Sequence, residues 1–244
     1  MNNIQRFKKL NILLGDKTVS ALAKTTVAIA GLGGVGSWCA EAIARSGIGN
    51  IILIDFDKIS ESNINRQIIA LESTIGQYKT DVMAKRIHDI NNKCNVKIIT
   101  EMFEKKETFE KTAEYFCIKT ADYVIDAIDS LKNKLDLIET SFYAGKKLFS
   151  SMGMAQKTDP FMIKYDSIWK TEGCPLAKLV RLGLKDRGFK GDFTVVYSRE
   201  KITALNPEKK TLTRENLGSC VTVTASAGLK LASLVIDDII KNNL

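Results

Sequence analysis

The stretch "AIAGLGGVGS", Ala28–Ser37, decides how this chain is organised. With the residues before it, it forms "TTVAIAG", a continuous apolar run closing on glycine at Gly31. Such a run is the pattern of a strand buried on both faces, as in a parallel sheet. Gly31, Gly33, Gly34 and Gly36 permit a tight turn with close backbone approach, and residues 33–46 then suit a helix stopped by Gly47. A helix N-terminus offers free N–H groups and a positive dipole end to phosphate. G-x-G-x-x-G alone is a weak signal. Its place between a strand and a helix makes it a candidate phosphate site.

Outward from this turn the same alternation continues. "IILIDFD" (Ile51–Asp57) is a second buried strand, and "KTDVMAKRIHDIN" (Lys79–Asn91) puts Val82, Met83, Ile87 and Ile90 on one helical face. "VKIIT", "DYVIDAID" and "KKLFSSM" supply three more strands, with helices predicted over "FEKTAEYF" and residues 131–144. Strands alternating with helices predict an α/β fold: a Rossmann-like, mostly parallel sheet flanked by helices. After Gly153 the pattern changes. "PFMIKYDSIW" and "FTVVYS" are strands flanking a helix at 175–187; a loop with Pro207 and a C-terminal helix follow. The division falls between residues 1–152 and 153–244. The second part is expected to continue the sheet within one integrated domain.

A chain of 244 residues with 45% hydrophobic and 26% charged residues can bury a sizeable core. The formal charge is +8, and residues 161–215 carry twelve Lys or Arg against seven Asp or Glu. That basic second half suits a polyanion, tRNA above all. Cys39, Cys94, Cys117, Cys174 and Cys220 are odd in number and form no C-x-x-C pair. This speaks against a zinc ribbon and a disulfide framework and for a reduced cytoplasm. "MNNIQRFKKL" lacks the apolar core of a signal peptide. Residues 221–240 are interrupted by Lys230, Asp237 and Asp238, so a buried helix is expected there, not a membrane span. With His88 alone, histidine-based triads and metal sites are disfavoured.

The glycines do not choose the nucleotide. Asp55 ends the second strand nineteen residues beyond Gly36, where an acid can accept ribose hydroxyls of NAD or ATP alike. The segment "LIDFDKISESNINRQ" (Leu53–Gln67) separates them. Arg66 and Lys79 follow Asp55, and "DAID" (Asp126–Asp129) closes the fourth strand. The carboxyl ends of strands in an open α/β sheet share one crevice. Two cations and a carboxylate for Mg²⁺ suit ATP better than a dinucleotide.

The glycine loop, "DFD", "SNINRQ", "IGQYKTDVM" and "DAIDS", in that order from about residue 6 to 151, resemble the nucleotide-activating fold of the ThiF/MoeB and ubiquitin-activating enzymes. The resemblance implies that residues 1–152 bind ATP, with Gly34 under the phosphates and Asp55 on the ribose. It implies that Asn63 and Arg66 grip phosphate oxygens, Lys79 reaches the β and γ phosphates, and Asp129 takes Mg²⁺. Asp57 and Gln67 are implied supports. The family activates a carboxylate as an acyl-adenylate, which needs no general base. It also implies a homodimer whose N-terminal arginine enters the partner's site. Here "RFKKLNILLG" keeps Arg6 but has Lys9 where a second arginine is expected, which keeps the charge and loses the bidentate fork.

Within the family, the sulfur-carrier activators commonly hold zinc with two C-x-x-C pairs, which are absent here. The second half, with "DP", "KT…CPLAK" and "VVYS", resembles instead the tRNA threonylcarbamoyladenosine dehydratases (the CsdL/TcdA group). That resemblance implies activation of the threonyl carboxylate of the modified adenosine, then ring closure by its own ureido group with net loss of water. Effective molarity favours such an intramolecular attack. It gives residues 153–244 a role in tRNA binding and dimerisation, with Lys178, Arg181, Lys185, Arg187 and Lys190 as candidate phosphate contacts. A monovalent cation and a cysteine-desulfurase or sulfur-acceptor partner are further possibilities it carries. The alternative is adenylation of the C-terminal glycine of a ubiquitin-like sulfur carrier.

Cys174 precedes a proline at a helix start, where the dipole can activate a thiol, yet ring closure needs no thioester and a structural role is preferred. Cys220 is expected to be buried, Cys39 and Cys117 structural, His88 exposed, and Trp38 and Trp169 packing residues.

Overall fold

The computed structural model describes residues 3–201 and 217–243. The predicted loop around Pro207 lies outside the described residues. Seven strands form one sheet: β1 (Thr26–Ala30), β2 (Asn50–Ile54), β3 (Asn95–Ile99), β4 (Tyr123–Asp126), β5 (Lys147–Ser151), β6 (Ile163–Ser167) and β7 (Thr194–Ser198), in the order β3-β2-β1-β4-β5-β7-β6. All neighbours are parallel except β6 and β7, which pair antiparallel. The second half therefore continues the sheet, as expected.

The helices are α1 (Asn3–Arg6), α2 (Lys8–Lys24), α3 (Gly36–Arg45), α4 (Lys79–Ile90), α5 (Phe109–Tyr115), α6 (Leu131–Tyr143), α7 (Pro175–Asp186) and α8 (Val221–Lys241). Helix α2, which the apolar pattern does not announce, is broken at Gly15. Along β1 the side chains alternate between two cores. Val27 and Ile29 face α3, α4 and α8 through Ile43, Met83, Leu231 and Val235, while Ala28 and Ala30 face α5, α6 and α7 through Ala113, Ile138, Val180 and Leu184. This double burial is why the interiors of β1, β2 and β4 are apolar.

Helix α8 is held against α3 at Gly228, where a Cβ would come within 2.3 Å of the Val35 carbonyl. None of the described helices is long and apolar enough to cross a membrane.

The order in which the chain adds strands reverses between the parallel neighbours β1 and β4, so the crevice opens outside their carboxyl ends. Three element ends at this crevice differ from expectation. Helix α3 begins at Gly36 instead of residue 33, because Gly33 to Val35 form the turn. Strand β2 stops at Ile54, and β4 at Asp126 instead of Asp129. In both cases a carboxylate turns the chain out of the sheet by accepting from a backbone N–H two residues on: Asp57 to Asp55 at 2.8 Å, and Ile128 to Asp126 at 3.0 Å.

Candidate active site

The glycine loop is shaped by two close approaches. Gly31 has φ +88°, and a Cβ there would lie 2.7 Å from the Ala127 carbonyl oxygen; one on Gly36 would lie 1.8 Å from the Gly31 oxygen. These two glycines let β1, β4 and α3 meet. Gly33 differs: the nearest atom to a Cβ there is Gln67 Nε2 at 4.0 Å. Gly34 lies against the Arg66 stem and Thr224 of α8, each 3.2 Å from its Cβ position.

Asp55 anchors this loop from β2. Its Oδ2 accepts from the Leu32 N–H at 2.6 Å, and the residue is 7% exposed. Burial pushes its carboxyl above the ordinary carboxylate range, against the opposing Lys79 charge and the N–H groups of Leu32 and Asp57. Each carboxylate oxygen keeps a lone pair for a further donor. Lys79 opens α4 almost fully buried, and its Nζ donates to Asp57 Oδ2 at 2.6 Å.

The "SNINRQ" turn completes the wall. Asn63 is buried, and its Oδ1 accepts from the Ser60 N–H at 3.2 Å, so part of its capacity closes a local turn. Arg66 Nη1 donates to the Ser62 carbonyl at 2.7 Å and to Asn65 Oδ1 at 3.0 Å, and Trp38 Nε1 donates to the Arg66 carbonyl. Trp38 is thus a bracing residue. Asn65 Nδ2 reaches the Ser219 carbonyl just before α8 at 3.0 Å. Gln67 is 5% exposed, and its Oε1 is buried with no hydrogen-bond partner.

Asp129 is exposed, just ahead of α6. Among the described residues no group of three or more His, Cys, Asp or Glu side chains is placed to hold a metal. A divalent ion here would need phosphate oxygens and waters beside one protein carboxylate, the ordinary arrangement for Mg²⁺ on a nucleotide. The open space over Gly33, the partnerless Gln67 oxygen and the carboxylate of Asp55 beyond the loop fit a nucleotide.

The basic residues of the second half divide. Arg181 Nη1 donates to the Thr171 carbonyl at 3.1 Å and to the Thr171 hydroxyl, holding α7 to the turn before it. Arg187 Nη1 meets Asp136 Oδ1 and Glu139 Oε2 of α6, both at 2.7 Å. These two arginines make contacts within the fold, Arg181 from a half-buried place and Arg187 from the surface; Lys178, Lys185 and Lys190 are exposed. Arg6 Nη1 donates to Asn91 Oδ1 at 3.2 Å and Asn92 Oδ1 at 2.9 Å, while Lys9 is exposed.

Cys174 is buried before α7, 4.0 Å from the Gly153 carbonyl, in keeping with a structural thiol. Cys220 departs from its expected burial. It is half-exposed at the start of α8, and hydrogen bonds from the Thr222 hydroxyl and backbone lower its thiol pKa. The buried pair Asp126–Lys134 was not foreseen. One signal for it is visible in the sequence: Lys134 stands four residues before Ile138 on the apolar face of α6.

A family model for the ThiF family matches residues 7–241. The chain is 43% identical to the tRNA threonylcarbamoyladenosine dehydratase of Bacillus subtilis, across 81% of this chain and 76% of that one. It is 35% identical to the enzyme of the same name from Haemophilus influenzae, across 98% and 95%. The crystal structure of E. coli tRNA N6-threonylcarbamoyladenosine dehydratase, TcdA, in complex with ATP superposes with a TM-score of 0.87, at 34% identity and across 98% and 95% of the two chains. The chain belongs to the ThiF family, in its tRNA threonylcarbamoyladenosine dehydratase branch.

Proposed function

We propose that this protein catalyses the ATP-dependent dehydration of N6-threonylcarbamoyladenosine in tRNA. The observation that carries the reading is the joint one: a crevice that fits a nucleotide, in a chain similar over nearly its whole length to a dehydratase solved with ATP. Adenylation of a ubiquitin-like carrier has no comparable support, and the C-x-x-C pairs common in that group are absent.

ATP supplies the leaving group that makes the threonyl carboxylate reactive. The chain's own residues bind and orient. Gly33 and Gly34 leave the backbone open to phosphate, and Asp55 accepts from the ribose hydroxyls. Asn63 and Arg66 hold phosphate oxygens, and Gln67 Oε1 accepts from the bound nucleotide. Lys79, steadied by Asp57, offsets the negative charge that develops at the phosphates, where a preorganised cation acts most strongly. Asp129 takes the Mg²⁺. Ring closure is intramolecular, so proximity and exclusion of water are what the fold must add. Lys178, Lys185 and Lys190 meet tRNA phosphates. Residues 1–152 form the ATP-binding part, and residues 153–244 the tRNA-binding and dimerisation part. The protein works as a cytoplasmic homodimer, with Arg6 and Lys9 contributing across the interface once Arg6 leaves Asn91 and Asn92.

The test is mass spectrometry of nucleosides from threonylcarbamoylated tRNA incubated with the protein, Mg²⁺ and ATP. Loss of the mass of one water, dependent on ATP and on Arg66, is the expected result. An unchanged nucleoside in a preparation that binds ATP would overturn the reading and direct the search to carrier-dependent pyrophosphate exchange.

A further inference from the structure

Beneath the bend that runs from Asp126 to Asp129 lies an ion pair with no exposure on either partner. Lys134 Nζ donates to Asp126 Oδ2 at 2.7 Å, to the Ser151 carbonyl at 3.0 Å and to Ser150 Oγ at 3.3 Å. The Ser150 hydroxyl in turn donates to Asp126 Oδ2 at 2.6 Å, and Asp126 Oδ1 takes the Ile128 N–H. The three N–H groups of the ammonium therefore meet three acceptors, and both carboxylate oxygens are engaged.

A pair like this adds little net stability. Removing both charges from water cancels most of their attraction, and a well-packed apolar pair of similar volume holds a core about as well. What the ionic pair adds is direction. One ammonium ties the carboxyl ends of β4 and β5 to the first turn of α6. Through Asp126 it also sets the backbone at Ile128, one residue before Asp129. The far side of the bend is pinned separately: Asn133 Nδ2 donates to the Phe103 carbonyl at 2.5 Å, and Ser130 is hydrogen-bonded to Asn133 Oδ1 at 2.6 Å.

We propose that Lys134 is a positioning residue for the metal-binding carboxylate of the nucleotide site. Acting through Asp126, it holds residues 127–130 in the conformation that presents Asp129 to the Mg²⁺ on the nucleotide. This rests on the role proposed above for Asp129. Lys134 touches neither substrate nor metal. Its effect belongs to the supporting groups that orient a ligand, whose loss weakens metal affinity by about 10- to 100-fold.

The test compares the wild-type protein, Lys134→Met and the double variant Asp126→Leu/Lys134→Met. Lys134→Met leaves a buried carboxylate without its partner and is expected to unfold readily; the double variant removes both charges and carries the experiment. Calorimetry measures ATP binding without metal and across a Mg²⁺ titration, while hydrogen exchange follows the amides of Ile128 and Asp129. The expected result is a folded double variant with unchanged metal-free ATP affinity. The Mg²⁺ concentration for half-maximal enhancement should rise about 10- to 100-fold, and the two amides should exchange faster. An unchanged Mg²⁺ response, or equal loss of metal-free and metal-dependent binding, would overturn the inference while leaving the Asp129 assignment standing. A wild-type protein whose ATP affinity ignores Mg²⁺ would overturn both. None of these readouts depends on tRNA turnover, so failure of the dehydratase reading would be seen separately.

Discussion

Asp57 holds Lys79 twice: its carboxylate accepts from Nζ at 2.6 Å, and its carbonyl oxygen accepts from the Lys79 N–H at 3.1 Å. The lysine is almost fully buried, whereas the Asp57 side chain is nearly half exposed. An ammonium in such a place is preorganised for a negative ligand, and the carboxylate that steadies it can still reach water. The two residues should therefore fail differently. Lys79→Met is expected to lower kcat/KM for ATP by about 10²- to 10³-fold, the usual loss of one preorganised charge-stabilising donor. Asp57→Asn should cost less and act mainly on KM. Steady-state kinetics of both variants checks this, and equal losses would make Asp57 a direct ligand.

The glycine loop separates shape from binding. Gly36→Ala would drive a Cβ into the Gly31 carbonyl at 1.8 Å, a backbone contact that cannot rotate away. A destabilisation at or above the about 1–3 kcal/mol of ordinary overpacking is expected. Gly33→Ala meets nothing nearer than 4.0 Å. It should leave the urea midpoint unchanged and yet weaken ATP, because the new methyl stands where phosphate would approach. Loss of stability in both variants would show that Gly33, too, serves only the turn.

The sheet was legible because strands buried on both faces are continuous apolar runs, which "TTVAIAG" and "IILID" display without help from distant residues. The crevice residues were legible for a related reason: a strand end followed by a polar residue marks the sheet's carboxyl edge. What stayed hidden were pairings across the fold. Nothing local to Arg187 says that its guanidinium meets Asp136 and Glu139, some fifty residues earlier, instead of solvent. Asp126 and Asp129 look alike in "DAID", and only the packing of α6 and β5 buries one of them against Lys134. Cys220 reads as part of an apolar run because the sequence does not mark the half-exposed start of α8.

The division among the basic residues has a measurable form. Arg187→Ala strands two nearly buried carboxylates, Asp136 and Glu139, and about 2–4 kcal/mol of stability should go with it, below the full buried-pair loss because the arginine is partly exposed. Lys178→Ala, Lys185→Ala and Lys190→Ala should leave urea unfolding unchanged. Each that meets an anticodon-loop phosphate should reduce the slope of log affinity for tRNA against log salt by about 0.7. If Arg187→Ala altered the slope without altering stability, its contacts with α6 would be incidental.

The C-terminal helix carries a pH-dependent tie to the amino ends of β4 and β5. Asp238 of α8 accepts from the Tyr123 hydroxyl at 2.7 Å and is bridged by Lys147 at the start of β5. Burial favours the neutral acid, but hydrogen bonds from Lys147 and Tyr123, the Lys147 charge and a hydrogen bond from Asn242 outweigh it, so its pKa falls below the ordinary carboxylate value. A carboxyl that binds its proton less tightly when folded adds stability above its unfolded pKa, about 3.9. That stability is lost as pH falls through the lower, folded value. Asp238→Asn should therefore be less stable than wild type at neutral pH, and the gap should narrow below about pH 4. Lys147→Met should show the same narrowing, because it removes the charge that depresses the pKa. Urea unfolding of the three proteins at neutral and acid pH decides it, and a gap that stayed constant would mean that Asp238 contributes through packing and neutral hydrogen bonds alone.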